Sequence, residues 1–170
     1  IYRDTRAIII KDSSTPFKER FQIPCAIKAI DFDLGGEGSA YHSEASPKRV
    51  LHGYREDSIP IKEINGELHI SVQENDWYCY SIEVAQEGYY VITPDAYLDI
   101  MIHSEESGEE IHPNMNLIYW SEVFLPYFCG HPSFYFLEKG KHKLYVYNFG
   151  DYEVVDFSRV DIEHFDLFEP

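Results

Sequence analysis

The sequence predicts an all-β protein built as an antiparallel β-sandwich. Hydrophobic and polar residues alternate over short segments, and glycine, asparagine or proline turns separate these segments at the spacing typical of small β-domains. Tyr, Phe, Val and Ile, which are favoured in strands, dominate the segments. No window shows the period of an amphipathic helix. Many short strands of this kind indicate a sandwich or a barrel.

Two segments predict β-hairpins. The dipeptide Asn65-Gly66 separates alternating runs over 59–64 and 68–72, and Asn-Gly suits the type I′ turn that joins antiparallel strands. The runs 134–137 and 143–147 flank a short loop that contains a glycine, so we expect a second hairpin there.

The remaining chain predicts further strands and one domain. A strand over 78–84 carries Tyr78, Tyr80, Ile82 and Val84 on one face, and others are expected at 97–102 and 154–165. A chain of 170 residues is long enough for a single core. We expect residues 1–22 to form a strand at 7–10 and a linker to an upstream region, and residues 23–170 to form the sandwich.

The charge of the chain restricts its partners. Asp and Glu number 30 against 14 Lys and Arg, a net charge of −16, which disfavours nucleic acid. Neutral glycans fit this charge better than acidic polysaccharides, unless a local basic patch compensates. The longest apolar runs are shorter than the roughly 20 residues of a membrane-spanning helix, so no membrane span is predicted.

The three cysteines, Cys25, Cys79 and Cys129, do not form a metal-binding or disulfide pattern. Their number is odd and no CxxC spacing occurs. We expect buried free thiols, because a free cysteine behaves as a small hydrophobe. One disulfide pair stays an open alternative.

The least generic segment runs from residue 23 to residue 55. Three glycines within 35–38 follow a short strand and predict a sharp bend. The pattern IPxxIxAxDFDxGGEGxAYH, then YRxD, then Trp77 in NDWYCYSIEV and Gly88 in EGYYVI, resembles the family 6 carbohydrate-binding modules. The resemblance covers about residues 23–165 and is most specific up to residue 92.

This resemblance implies a jelly-roll sandwich of the galactose-binding-domain type. It further implies non-catalytic binding of a polysaccharide, which would hold an attached glycoside hydrolase on its substrate. Such modules belong to secreted, periplasmic or cell-surface proteins. An alternative stays open: a structural or interaction sandwich that packs on a catalytic domain and has lost the family's sugar site.

Sugar binding requires an exposed aromatic ring and a few polar groups for the hydroxyls. The resemblance makes Trp120, Tyr54, Arg55 and Tyr41 the candidate carbohydrate-binding residues. Trp120 lies in the region where family members often place a stacking tryptophan. Tyr54 and Arg55 match the YR of the pattern, although loop bracing through the adjacent Asp57 or Glu56 is the favoured role of the arginine. Trp77 matches a structural tryptophan, and we expect it to pack.

The sequence departs from the family at several functional positions. Ser71 stands near the position of a second ligand aromatic, and the segment 156–162 lacks the expected asparagine. Lys28 and Ile30 replace two glutamates that commonly bind structural calcium. Neither side chain can supply a hard oxygen ligand. We therefore expect no metal site and no cofactor.

No enzymatic signature is present in the chain. GxSxG, HExxH and P-loop motifs are absent, and the eight histidines do not pair at metal-ligand spacing. The acidic run between residues 105 and 110 is typical of a solvated loop. We expect that this segment is not an enzyme.

Overall fold

The computed structural model describes residues 13–44, 53–114, 132–148 and 153–166, and the statements below concern these residues. They form thirteen strands and a 3-10 turn at Ala29–Asp31. The strands in chain order are β1 (Phe21–Ile23), β2 (Cys25–Lys28), β3 (Tyr41–His42), β4 (Ile61–Ile64), β5 (Glu67–Val72), β6 (Trp77–Val84), β7 (Gly88–Pro94), β8 (Asp99–Ser104), β9 (Glu110–Ile111), β10 (Ser133–Leu137), β11 (Gly140–Tyr147), β12 (Val155–Phe157) and β13 (Arg159–Phe165).

The described strands form three sheets. A six-stranded sheet has the order β1-β6-β11-β8-β9, with β3 also paired to β6, and a four-stranded sheet has the order β10-β7-β13-β2. A three-stranded sheet has the order β12-β5-β4. Among these pairings only that of β1 with β6 is parallel. The prediction of an all-β, mainly antiparallel protein is confirmed.

One hydrophobic core joins the sheets. Tyr80 of β6 and Leu144 of β11, from the six-stranded sheet, lie in the same cluster as Ile92 of β7 and Ile162 of β13, from the four-stranded sheet. Each of these side chains is at most 1% exposed. Burial of two sheet faces against each other gives the sandwich arrangement. The finer jelly-roll connectivity remains a prediction.

The first predicted hairpin is confirmed. Strands β4 and β5 pair antiparallel, with Ile64 opposite Glu67. Asn65 has φ 52° and Gly66 has φ 81°, which are the left-handed conformations that a type I′ turn requires. The local dipeptide was therefore sufficient to predict this connection.

The second predicted hairpin is wrong. Strand β10 pairs with β7 in the four-stranded sheet, whereas β11 pairs with β6 and β8 in the six-stranded sheet. The connection between β10 and β11 thus passes from one sheet to the other, as does the connection between β6 and β7. Tyr135 and Leu144 face the shared core from opposite sheets. Alternation identifies the buried face of a strand, but it does not identify the partner strand.

Strand β6 is buried on both faces. Its residues Tyr78, Tyr80, Ile82 and Val84 face the main core, as predicted. On the opposite face, Trp77 packs in a second, smaller cluster with Cys79, Met101, Tyr145 and Tyr147. Trp77 is 1% exposed, which confirms its predicted packing role.

The described part of the N-terminal segment packs on the sandwich. Strand β1 crosses the predicted boundary between residues 22 and 23 and pairs with Ile82–Val84 of β6. Thr15 forms a β-bridge with Leu34, and Ser14 is buried. Residues 13–22 are thus a structural part of the sheet edge. The predicted strand at 7–10 lies outside the described residues.

The glycine-rich bend also takes the predicted form. Gly35, Gly36 and Gly38 have φ values of 141°, 77° and 84°, in a region that residues with a Cβ rarely adopt. The bend reverses the chain after the 3-10 turn and brings Tyr41 back to pair with Tyr78. Among the described residues, no helix is long and apolar enough to cross a membrane.

Candidate ligand-binding cleft

A cleft of about 520 Å³ opens beside the edge strand β2. Its walls come from β2, the start of β13, the tip of the β4–β5 hairpin and the segment that carries Tyr54. Ile30, Leu68 and the Tyr54 ring provide apolar surface, while Lys28, Glu67 and Arg159 provide charged groups. This volume and this mixture are typical of small-ligand sites.

The open edge of β2 adds backbone polar groups. Ala29 donates its backbone N–H to the carbonyl of Ser158 at 2.8 Å, which fixes the hydrogen-bonding register between β2 and β13. Because bonded and non-bonded pairs alternate in an antiparallel ladder, the N–H and C=O groups of Ala26 and Lys28 are directed away from β13. These groups can donate to and accept from the hydroxyls of a ligand in the cleft.

Tyr54 is held firmly at the cleft. Its hydroxyl donates to the Asp31 carboxylate and accepts a hydrogen bond from Lys18 Nζ at 2.7 Å. Its ring lies 5.5 Å from that of Phe17, measured between centroids. Burial, together with the hydrogen bond to Asp31, raises the pKa of Tyr54. The side chain therefore stays neutral at physiological pH, and Lys18 Nζ lies over its ring, 4.9 Å from the centroid.

Arg55 lies inside the protein, with a side chain that is 0% exposed. Its guanidinium donates to the carbonyls of Ile30 at 2.8 Å, Phe32 at 2.6 Å and Asp33 at 2.9 Å. It also donates to Asp57 at 2.6 Å. These contacts fix the chain after the 3-10 turn, so the structure favours the bracing role of Arg55 over a sugar contact.

Tyr41 is likewise part of the core. It is 6% exposed and stacks on Tyr78 at a centroid distance of 5.9 Å, with Phe32 edge-on at 5.5 Å. A side chain buried in this way has little surface to offer a sugar. Its placement favours a packing role over the predicted ligand contact. Trp120 lies outside the described residues, and its role as a stacking platform stays a prediction.

The sequence analysis did not identify Tyr97 as an exposed aromatic residue. The strand predicted from residue 97 begins only at Asp99, and Tyr97 lies before it in a loop with 73% of its surface exposed. Asp95 anchors this loop to the cleft wall, because it accepts hydrogen bonds from the backbone N–H and the hydroxyl of Ser158. No local sequence signal separates Tyr97 from the strand that follows.

The positions that depart from the family pattern have definite neighbours. The Ser71 hydroxyl of β5 donates a hydrogen bond to the Asp156 carboxylate of β12 at 2.6 Å, so both groups have a hydrogen-bond partner within the protein. Lys28 and Ile30, which replace the expected calcium ligands, line the cleft without offering a side-chain oxygen. The donor set at this place does not fit calcium. Within the described ranges no group of three or more His, Cys, Asp or Glu residues could hold a metal ion.

Two of the three cysteines can be placed. Cys79 is a buried free thiol, as predicted, whereas Cys25 is a free thiol that is only partly buried. Cys129 lies outside the described residues.

The comparisons with known proteins place the chain in no family. No protein family matches the sequence, and no curated protein matches it significantly. Among solved structures, a glycoside hydrolase family 43 arabinoxylan arabinofuranohydrolase from Bacillus subtilis, in complex with cellotetraose, is similar at a TM-score of 0.40 and 10% sequence identity. The match covers 86% of this chain and 28% of that chain, so this chain corresponds to less than a third of that protein.

Proposed function

We propose that the chain is a non-catalytic carbohydrate-binding domain that uses the cleft beside β2. One observation carries the proposal: Tyr54, which belongs to the YR segment of the sequence resemblance, is fixed by Asp31 and Lys18 as one wall of that cleft. An aromatic ring beside backbone donors and acceptors is a suitable surface for a sugar.

In this proposal the cleft acts by proximity alone. The apolar face of a sugar ring packs against Tyr54 and Leu68, and its hydroxyls bind the edge backbone groups of β2. Attachment of a catalytic domain to such a module raises the effective concentration of the polysaccharide at the catalytic domain. The proposal includes a secreted, periplasmic or cell-surface location, where polysaccharides are encountered.

A second candidate function is an interaction domain that packs on its own catalytic partner. Ser71 stands near the position of an expected ligand aromatic and donates a hydrogen bond to Asp156, which lies in the segment that lacks the expected asparagine. On the outer face of the four-stranded sheet, Phe136 is 42% exposed and lies edge-on to Tyr89 at 5.1 Å. Exposed aromatics on a sheet face suit a protein contact.

Affinity gel electrophoresis on a panel of soluble polysaccharides tests the first function. The panel contains xylans, β-glucans, mannans, galactans and uronate polymers, and the proteins are the wild type, Tyr54→Ala, Trp120→Ala and Phe136→Ala. Phe136→Ala is the matched control, because it removes an aromatic ring that does not line the cleft. Circular dichroism confirms that each variant is folded.

The expected result is retardation of the wild type and of Phe136→Ala by at least one glycan, with loss of retardation in Tyr54→Ala. Loss in Trp120→Ala as well would extend the site to that residue. Loss in Phe136→Ala alone would move the site to the outer sheet face. Unchanged mobility on every glycan would contradict carbohydrate binding and favour the interaction domain.

A further inference from the structure

Two cations on neighbouring strands line the cleft. Lys28 of β2 and Arg159 of β13 are directly opposite in the antiparallel register, and both side chains are exposed. Like charges at directly opposed positions destabilise a sheet. The pairing therefore points to a ligand.

The two cations differ in their contacts with nearby carboxylates, because Arg159 forms an ion pair with Asp161 and Lys28 forms none with the described residues. Asp161 accepts a hydrogen bond from Arg159 Nε at 3.2 Å, and this contact uses only one edge of the guanidinium. Asp95 accepts hydrogen bonds from the Ser158 hydroxyl and from the backbone N–H of Arg159, so a second carboxylate lies close to Arg159. Lys28 has no ion-pair partner among the described residues.

Within the described part of the chain, Glu67 is the acidic residue that lines the cleft, and its carboxylate accepts a hydrogen bond from the Ser158 hydroxyl at 3.4 Å. The charged residues that line the cleft in the described part of the chain are thus two cations and one anion, and Asp161 and Asp95 contact Arg159 from outside the lining. The net charge of the whole chain is −16, but charges farther away than about 8 Å are largely screened at physiological ionic strength. At short range, Lys28 is the cation of the cleft that forms no ion pair with the described residues, and Arg159 uses only its Nε in the ion pair with Asp161.

We propose that the cleft binds a saccharide that carries a carboxylate, a uronic acid unit, with the carboxylate placed between Lys28 and Arg159. The terminal guanidinium nitrogens of Arg159 can bind both carboxylate oxygens, and the Lys28 ammonium adds a point charge. The sugar ring packs on the apolar wall of Tyr54 and Leu68. This inference rests on the proposed carbohydrate-binding function and names the ligand class for the same cleft.

A matched pair of ligands isolates the carboxylate. Isothermal titration calorimetry compares oligogalacturonate with the same oligosaccharide after its carboxyl groups have been reduced to primary alcohols, in a buffer with a chelator. The proteins are the wild type, Lys28→Gln, Arg159→Gln and Lys141→Gln. Lys141 is an exposed residue of β11, so its replacement makes the same change in net charge outside the cleft.

We expect oligogalacturonate to bind the wild type about tenfold more tightly than the reduced ligand does, since a hydrogen bond to a charged group contributes about that much. Lys28→Gln and Arg159→Gln are expected to lose about this factor, and Lys141→Gln to keep the wild-type affinity. Binding of oligogalacturonate is expected to weaken as salt is raised.

The two proposals fail in different ways. Equal affinity for both ligands, with Lys28→Gln unchanged and Tyr54→Ala impaired, would overturn the uronate assignment and keep a neutral-sugar site. Equal losses in Lys28→Gln and Lys141→Gln would also overturn it, since the effect would then follow net charge alone. Absence of binding to either ligand, together with unchanged mobility on the polysaccharide panel, would overturn both proposals.

Discussion

Lys143 Nζ lies 3.0 Å from Asp33 Oδ2 inside the protein, and their side chains are 8% and 1% exposed. Ser81 completes the site: its hydroxyl accepts from Lys143 at 2.7 Å and donates to Asp33 at 2.6 Å. The carbonyl of Ser14, 129 positions from Lys143, accepts a further hydrogen bond at 2.8 Å. This buried pair joins the N-terminal segment to the six-stranded sheet.

Removal of one partner of this pair is expected to be strongly destabilising. Lys143→Met leaves the Asp33 carboxylate buried without its cation, and such a change costs about 3 kcal/mol or more. The double variant Asp33→Asn with Lys143→Met removes the stranded charge and is expected to recover part of the loss. Urea unfolding of the wild type, both single variants and the double variant measures the effect. Additive losses would contradict direct coupling of the two residues.

Arg55→Lys tests the bracing role of Arg55. A lysine carries the charge but lacks the planar set of donors that reaches the carbonyls of Ile30, Phe32 and Asp33. We expect a loss of about 2 kcal/mol in the free energy of unfolding, because buried carbonyls lose their partners. Affinity for any glycan that the wild type binds is expected to change little under conditions where the variant is folded. A large loss of affinity without a loss of stability would instead support a sugar contact.

The pair formed by Glu105 and Arg20 predicts a dependence of stability on pH. Burial alone would raise the pKa of Glu105, but the hydrogen bonds from Arg20 at 2.8 and 2.7 Å and the charge of Lys143 hold the pKa below its usual value of 4.5. A carboxylate with a lowered folded-state pKa stabilises the protein above its unfolded-state pKa, and this contribution is lost as the pH falls through the folded-state value.

Accordingly, Glu105→Gln is expected to be less stable than the wild type at pH 7, and the difference should shrink as the pH falls below 4.5. Denaturant midpoints measured across this range provide the comparison. Glu109→Gln on the same acidic loop is the control, since Glu109 forms no ion pair with the described residues. If the stability difference between the wild type and Glu105→Gln were the same at every pH, the interaction of Glu105 with Arg20 would not depend on protonation of Glu105.

The two placed cysteines are expected to differ in reactivity. Burial, reinforced by the charge of Asp33, raises the pKa of Cys79 to about 12. Burial also raises the pKa of Cys25, which is only partly enclosed. In a Cys129→Ser background, a thiol reagent at pH 8 should label Cys25 first, and Cys79 only as fast as the protein unfolds. Similar labelling rates for the two thiols would indicate that Cys79 is accessible in the native state.

The strand content and several local features could be predicted from the sequence alone. Alternation over 78–84 identified the core face of β6, and Asn65-Gly66 identified the β4–β5 turn. The glycines at 35–38 identified the bend. Each of these features depends on a few neighbouring residues, because side-chain period and left-handed φ angles are local properties.

The partners of the strands could not be predicted in the same way. Strands β10 and β11 have the pattern of a hairpin but join different sheets, because their hydrogen-bond partners β7, β6 and β8 come from distant parts of the chain. For the candidate site, the predicted sugar contact of Tyr54 stays a prediction, although the residue lines the cleft. The burial of Tyr41 and Arg55 depends on long-range packing, which a local sequence pattern does not reveal.

The sequence by itself determined that the chain forms strands, where it turns and that its net charge is strongly negative. Only the tertiary structure decided that Lys28 and Arg159 stand opposite each other beside Tyr54. Sheet pairing brings together residues that are far apart in the chain, and the local charge of a cleft depends on that pairing rather than on composition. For this reason net charge favours a neutral glycan, while the cleft geometry leads to the proposal of an acidic one.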